Sequence, residues 1–174
     1  MNYNVSQLLK EPTGSEREFD IDEGGFGDPE YTVDYASGSV TMVRTHHGVW
    51  VQGQLTVRVA QDCSRCLTDF SQILELELDE EYFPEVDVRT GRRELPPDDW
   101  EGLYIGADHM LDLGEATRQS ALAVLPLKPL CKPDCVGICD RCGVDQNHST
   151  CDCYAMEIDP RWAALQSLII EPGT

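Results

Sequence analysis

The sequence predicts an α+β protein: an antiparallel β-sheet, barrel-like if it closes, with a few helices and a C-terminal zinc-knuckle segment. Three observations predict it. Apolar and polar residues alternate across much of 31–83, residues 112–125 have a helical pattern, and six of eight cysteines lie within 131–153. Alternation is typical of strands with one buried face. We therefore divide the 174 residues into a body at 1–130 and a cysteine-rich segment with a terminal helix at 131–174.

The first part of the body changes from a loop-forming composition to a strand pattern. Residues 1–30 contain "EPTGSERE" and "DEGGFGDPE", whose glycines, prolines and acidic residues predict a loop or a loosely attached arm. From Tyr31 onward, "YTVDY" and "SVTMVR" predict two strands around the turn "ASG".

The clearest alternation occurs in two longer segments. In "GVWVQGQLTVRVAQD" the odd-numbered positions from Val49 to Val59 are apolar or glycine, and the even-numbered positions from Gln52 to Arg58 are polar. In "DFSQILELELDEEYF" one face contains Leu74, Leu76 and Leu78, and the other face contains acidic residues. These segments predict two antiparallel strands that bury one face of a sheet.

Residues 84–108 are rich in proline, glycine and charge, and predict an acidic loop. We expect Trp100 and Tyr104 to return to the body. The tight basic cluster of the chain also lies in this loop, and it consists of Arg89, Arg92 and Arg93.

Two helices are predicted. In "LDLGEATRQSALAVLP", Asp112 is the expected N-cap, Glu115 completes a capping box, and Pro126 ends the helix. In "DPRWAALQSLII", Asp159 is the expected cap and Pro160 occupies the first helical position.

The first cysteine pair is Cys63 and Cys66 in "QDCSRCLTDF", where a turn between two strands is expected. A redox CxxC pair usually begins a helix, whose N-terminus lowers the thiol pKa. Because strands are predicted on both sides here, the pair favours metal binding over redox chemistry.

The other six cysteines follow closely, and "CDRCG" has the outline of a zinc knuckle. The simplest arrangement is two four-thiolate sites with about two zinc ions per chain. One site would contain Cys139, Cys142, Cys151 and Cys153, and the other Cys63, Cys66, Cys131 and Cys135. An iron–sulfur cluster, disulfides and unmetallated thiols are the alternatives.

A zinc ion with four thiolate ligands has no open position for water, so these sites would be structural. The sequence contains no GxSxG, HExxH or glycine-rich phosphate-loop motif.

The net charge is −19, from 32 acidic and 13 basic residues. Such a charge repels phosphate backbones and favours a basic protein partner, with direct RNA contact only weak and local.

We expect a cytoplasmic protein with reduced thiols and no membrane partner. The N-terminal residues lack a secretory signal pattern, and no apolar run approaches the roughly 20 residues that span a bilayer.

Three segments carry a resemblance to a known family. They are "VRTHHGVWVQGQLTVRVAQDCSRCLTDF", "LDLGEATRQSALAVLPLKPLCKPDCVGICDRCGVDQNHSTCDC" and "DPRWAALQSL". Together they resemble the bacterial YceD family, the large ribosomal RNA subunit accumulation proteins. In "CGVDQN", Asp145 and Gln146 replace a more apolar pair of the family pattern.

The resemblance implies a cytosolic, non-enzymatic ribosome-biogenesis factor that supports accumulation or processing of large-subunit ribosomal RNA. The implied partners are a large-subunit precursor or a basic ribosomal protein. Two rival hypotheses stay open. One is an enzyme, either a thiol oxidoreductase using Cys63 and Cys66 or an RNA-processing enzyme. The other is a zinc-stapled binding module outside ribosome assembly.

Overall fold

The computed structural model describes residues 1–27, 32–154 and 161. These form two compact units. The first contains Met1–Ser64 and Thr68–Cys131, and the second contains Arg65–Leu67 and the chain from Lys132 onward. The helix predicted from Asp159 lies outside the described residues, apart from Arg161.

The first unit is mostly β. Its strands are β1 (Asn2–Asn4), β2 (Glu16–Gly27), β3 (Thr32–Arg44), β4 (Val49–Asp62), β5 (Asp69–Pro84), β6 (Leu103–Ile105) and β7 (Met110–Asp112). A 3-10 turn spans Leu8–Lys10, and the helix α1 spans Leu113–Val124. Strands β2 to β6 form one sheet in sequential order, and β1 pairs with β7 separately. This half-barrel with one helix agrees with the α+β class in its coarse form. Within the described residues the sheet is open, with β2 and β6 at its edges.

The buried face of the sheet is the one predicted for β4 and β5. Val51, Leu55 and Val57 of β4 and Leu74 and Leu76 of β5 are all buried. Helix α1 belongs to the same core through its own apolar residues. Burial of such a side chain contributes about 1.5–3 kcal/mol of hydrophobic free energy, so this shared core is the main stabilising feature of the first unit.

The interpretation of residues 1–30 as a loop or a loosely attached arm was wrong for 2–4, 8–10 and 16–27, and residues 28–30 lie outside the described residues. Strand β2 pairs with β3 along its length, and the Leu8–Lys10 turn buries Leu8 and Leu9. Phe19 packs against the core and Ile21 is buried, while Asp20 between them is exposed. The sequence of β2 does alternate between apolar and polar residues. Its many charged residues led to the interpretation as a solvated arm.

The turn predicted at "ASG" was also wrong, because β3 continues through Gly38. Gly38 has φ +147°, and an added Cβ would lie 2.2 Å from the carbonyl oxygen of Gln54. This glycine therefore allows the neighbouring strand to approach closely. The chain instead reverses after Arg44, where the backbone N–H of Thr45 donates to the carbonyl of Gly48 at 3.0 Å.

The sheet is not wholly antiparallel. Within the segment predicted as a loop, β6 pairs parallel to β5, with Tyr82 opposite Leu103. Ile105 is fully buried, and the ring of Trp100 lies 5.6 Å from that of Phe83. Tyr104 also contacts Phe83, so both aromatic residues return to the body as expected.

Helix α1 begins as predicted. The Oδ1 atom of Asp112 accepts a hydrogen bond from the backbone N–H of Gly114 at 2.8 Å. Glu115 does not complete a capping box, because its carboxylate accepts hydrogen bonds from Arg118 and Gln119. Leu125 before Pro126 has ψ 133°, so the helix ends there. No helix in the described part of the chain is long and apolar enough to cross a bilayer.

Candidate metal centre

The connection between β4 and β5 holds the first cysteine pair, as the alternation predicted. The backbone N–H of Cys63 donates to the carbonyl of Thr68 at 3.0 Å, and Leu67 has the left-handed φ of +59°. Cys63 is fully buried and Cys66 is 7% exposed. The tight turn explains how two cysteines three positions apart can direct their sulfur atoms to one point.

Within the second unit, Arg65 forms hydrogen bonds with the segment that contains Cys135. Its guanidinium Nη1 donates to the carbonyl of Cys135 at 2.7 Å, and its own carbonyl accepts from the N–H of Ile138 at 3.2 Å. Gly137 has φ +90°, and a Cβ there would lie 3.1 Å from the Arg65 carbonyl. A glycine at this position therefore permits the close approach.

The "CDRCG" segment forms the expected knuckle. The N–H of Gly143 donates to the carbonyl of Cys139 at 2.9 Å, and the N–H of Cys139 donates to the carbonyl of Val144 at 2.9 Å. Backbone N–H groups of Cys142 and Arg141 donate to the Cys139 sulfur and lower its pKa to about 7. The thiolate is the form that binds metal, so this turn prepares Cys139 as a ligand.

The eight sulfur atoms form two groups, which we call the first and second tetrads. The first tetrad is Cys63, Cys66, Cys131 and Cys135, and the second is Cys139, Cys142, Cys151 and Cys153. In each tetrad all four Sγ atoms lie within 4.8 Å of one another. The structure thus brings together the same two sets of cysteines that the sequence suggested, and each could hold a metal ion. That they are ligands stays a prediction.

The sulfur spacing fits a single ion better than a cluster. A Zn–S bond of about 2.3 Å places the sulfur atoms of a tetrahedral site about 3.8 Å apart. A four-iron cluster holds its cysteines further apart, because several iron and sulfide atoms lie between them. Distances within 4.8 Å therefore suit one tetrahedral ion in each tetrad.

Sequence reasoning missed Asn147, which it treated only as a neighbour of His148. The Nδ2 atom of Asn147 donates to the Cys135 sulfur at 3.4 Å and to Asp145 Oδ1 at 2.7 Å. Its Oδ1 atom accepts from the backbone N–H of Val136 at 3.0 Å. Asn147 therefore orients a tetrad sulfur without being a ligand. Its place at the end of "CGVDQN" was the available signal.

Asp145, which departs from the more apolar family pattern, has a local role. Its Oδ1 atom accepts the backbone N–H of Asn147 at 2.8 Å, and this bond lowers the pKa of Asp145. Its carbonyl accepts from the N–H groups of His148 and Ser149. The substitution thus caps a turn. His148 itself is exposed and belongs to neither tetrad.

The outward face of the sheet in the first unit is strongly acidic. We call its two rows of acidic residues the carboxylate face: Glu16, Glu18, Asp20 and Asp22 of β2, and Glu75, Glu77, Asp79 and Glu81 of β5. Between the rows, β3 and β4 present mainly hydroxyl and amide side chains. Asp20 and Glu77 line opposite sides of a cleft of about 770 Å³ on this face.

The basic cluster is on an ordered turn. Asp87 Oδ1 accepts from the backbone N–H of Thr90 at 2.6 Å, and Arg89 Nη2 donates to the carbonyl of Lys10 at 2.9 Å. Arg89, Arg92 and Arg93 are all exposed. They offer a small positive surface that could contact phosphate groups.

Comparison with known proteins agrees with the resemblance. The sequence model of the family described as "Large ribosomal RNA subunit accumulation protein YceD" matches residues 51–169. An uncharacterized protein of Mycobacterium bovis and one of Mycobacterium tuberculosis are each 30% identical over 149 residues. These matches cover 86% of this chain but only 65% of either relative. An uncharacterized Mycobacterium leprae protein is 28% identical over 126 residues, or 70% of this chain and 53% of the relative. No solved structure matches the chain.

Proposed function

Because the chain belongs to the YceD family, we propose that it is a ribosome-biogenesis factor that supports accumulation or processing of large-subunit ribosomal RNA. The family match across 51–169 carries this proposal. The carboxylate face adds physical support, since it is suited to bind basic proteins rather than to contact RNA directly. The chain would act by binding and not by catalysis.

The two tetrads are proposed to hold structural zinc. Four thiolates leave no open coordination position, so the ions would stabilise the folded chain and would not activate water. Zinc binding to such sites is coupled to folding, because the unfolded chain lacks the assembled ligands.

We propose no redox role for Cys63 and Cys66. They lie in a turn between two strands, whereas the N-terminus of a helix would lower the thiol pKa. Both side chains are also buried, which limits access for a disulfide substrate. Reduction of a model disulfide such as insulin by the zinc-loaded protein would support the rival oxidoreductase function.

The proposed partner is a basic ribosomal protein or an assembling large-subunit particle. Exposed carboxylates along two strands would attract such a surface and raise its association rate. The positive turn with Arg89, Arg92 and Arg93 could add a local phosphate contact, but the net charge of −19 opposes extended RNA binding.

Depletion of the protein in its own cells tests the function. We expect large-subunit ribosomal RNA to fall relative to small-subunit RNA, and precursor particles to co-purify with the tagged chain. Re-expression of the unchanged protein should restore the ratio. An unchanged RNA ratio, with no ribosomal component recovered, would contradict the proposal and favour a binding module outside ribosome assembly.

A further inference from the structure

A second candidate binding site lies in the first unit, and it is lined by no cysteine and by no residue of the carboxylate face. It is an open cleft of about 680 Å³ between the C-terminal end of α1 and the paired ends of β4 and β5. We call it the α1 cleft. Its lining is apolar on the helix side, with Leu122, Leu125 and Leu127, and polar on the sheet side, with Gln61, Asp62 and Asp69.

The apolar wall presents side chains that the fold leaves in solvent. Leu127 is 100% exposed, and Leu122 on the helix is only half-buried. Leu125 packs partly against the core, which anchors this wall to the body. Contiguous exposed apolar side chains beside polar groups are typical of a protein interaction site. An apolar side chain from a partner could therefore be buried here.

The polar wall has an unbalanced charge. Asp62 and Asp69 are register partners at the end of the β4–β5 ladder, so their carboxyl groups lie side by side and share a hydrogen bond. Like charges directly opposite each other destabilise a strand pair. Neither aspartate is in an ion pair with the described residues. A cation between or beside them would relieve this repulsion.

Gln61 adds a hydrogen-bond requirement. Its Nε2 atom is buried, and within the described part of the chain it has no hydrogen-bond acceptor. A buried donor without an acceptor costs about 1–3 kcal/mol, which an incoming carbonyl group would offset. A peptide backbone supplies such a carbonyl.

From these features we infer that the α1 cleft binds a segment of a partner protein that presents an arginine or lysine next to an apolar side chain. The cation contacts Asp62 and Asp69, the apolar side chain packs on Leu122, Leu125 and Leu127, and a backbone carbonyl accepts from Gln61. The site does not depend on the ribosomal role, because the same peptide chemistry would bind whatever process the chain serves.

The test uses the full, metal-loaded chain and a short capped peptide with one arginine between two leucines. Binding is measured by calorimetry up to millimolar peptide. A second peptide replaces arginine with citrulline, which keeps the shape and removes the charge. We expect the citrulline peptide to bind at least tenfold more weakly, because it cannot neutralise the carboxylates.

Three variants locate the binding. Asp69→Asn should weaken the arginine peptide about tenfold, and Leu127→Ser should weaken both peptides, since Leu127 is fully exposed and its loss leaves the core intact. Asp98→Asn is the matched control, because Asp98 is exposed and lies outside both the α1 cleft and the carboxylate face, and it should change the affinity less than twofold. Metal content, measured in parallel, should be the same in all variants.

Other outcomes would overturn the inference. They are absence of binding at millimolar peptide, equal affinity for the citrulline peptide, and equal losses from Asp69→Asn and Asp98→Asn. Binding that occurs only after removal of residues 155–174 would show that the chain's own C-terminal segment competes for the cleft, and the partner-protein assignment would then be wrong.

Discussion

The side-chain amide of Asn147 donates a hydrogen bond to the sulfur of Cys135, with a nitrogen–sulfur distance of 3.4 Å. The same side chain accepts the backbone N–H of Val136, so it fixes both the sulfur and the backbone beside it. Groups that hydrogen-bond to ligands in this way orient them and tune their charge. Asn147 is therefore a positioning residue for the first tetrad.

Replacing Asn147 by alanine should weaken metal binding at the first tetrad about 10- to 100-fold, the usual effect of losing a group that orients a ligand. Competition with a chromophoric zinc chelator measures this affinity for each ion. His148→Ala is the matched control, because the neighbouring imidazole is exposed and outside both tetrads. Equal effects of the two changes would show that Asn147 has no special relation to the metal.

The purified chain should contain about two zinc ions, one for each set of four thiolates. Cys66→Ser and Cys142→Ser should each reduce this to about one, because each removes one ligand from a different tetrad. Elemental analysis gives the count. If either change removes both ions, the sites are not independent. Iron with visible absorption would replace zinc as the metal.

Binding to large-subunit particles should depend on the carboxylate face. Replacing Glu75, Glu77 and Asp79 by Gln, Gln and Asn should slow association several-fold at low salt, and the difference should shrink as salt screens the charges. Surface plasmon resonance at several salt concentrations measures the rate.

The matched comparison replaces Arg89, Arg92 and Arg93 by glutamine. These changes should have little effect on particle binding, although they should reduce any weak affinity for naked precursor RNA and its dependence on salt. If the arginine changes abolish particle binding and the acidic changes have no effect, RNA is the target and the electrostatic proposal is wrong.

Glu115 gives a pH-dependent contribution to stability. Hydrogen bonds from Arg118 and Gln119 lower the pKa of Glu115 to about 2. Because the folded-state pKa lies below the unfolded value, the contribution is present above the unfolded pKa near 4.3 and is lost as pH falls toward 2. The Glu115 side chain is 42% exposed, so solvent screens the interaction, and Glu115→Gln should cost only about 0.5 kcal/mol at pH 7.

Urea unfolding of both proteins at pH 7 and at several lower pH values measures this difference. The two proteins should become equally stable as the pH approaches 2, since the carboxylate then loses its charge. Any metal released by acid is lost from both proteins and cancels in the comparison. A difference that does not change between pH 7 and pH 2 would contradict the assignment.

Several features followed from the sequence alone. The buried faces of β4 and β5, the cap at Asp112 and the end of α1 before Pro126 depend on residues within a few positions of one another. Local periodicity and local hydrogen bonding determine such features, so they can be inferred without knowledge of distant contacts. The division of the cysteines into two sets of four also followed from their spacing and number.

Other features were decided only by the tertiary structure. Residues 16–27 form a strand because β3 pairs with them. Gly38 lies inside β3 and not in a turn, and its missing Cβ leaves room for the close approach of the backbone of β4. The parallel direction of β6, the contact of Asn147 with Cys135 and the α1 cleft all join residues distant in sequence. Local patterns show which face of a segment is buried, but the partner and its direction are determined by packing of the whole chain.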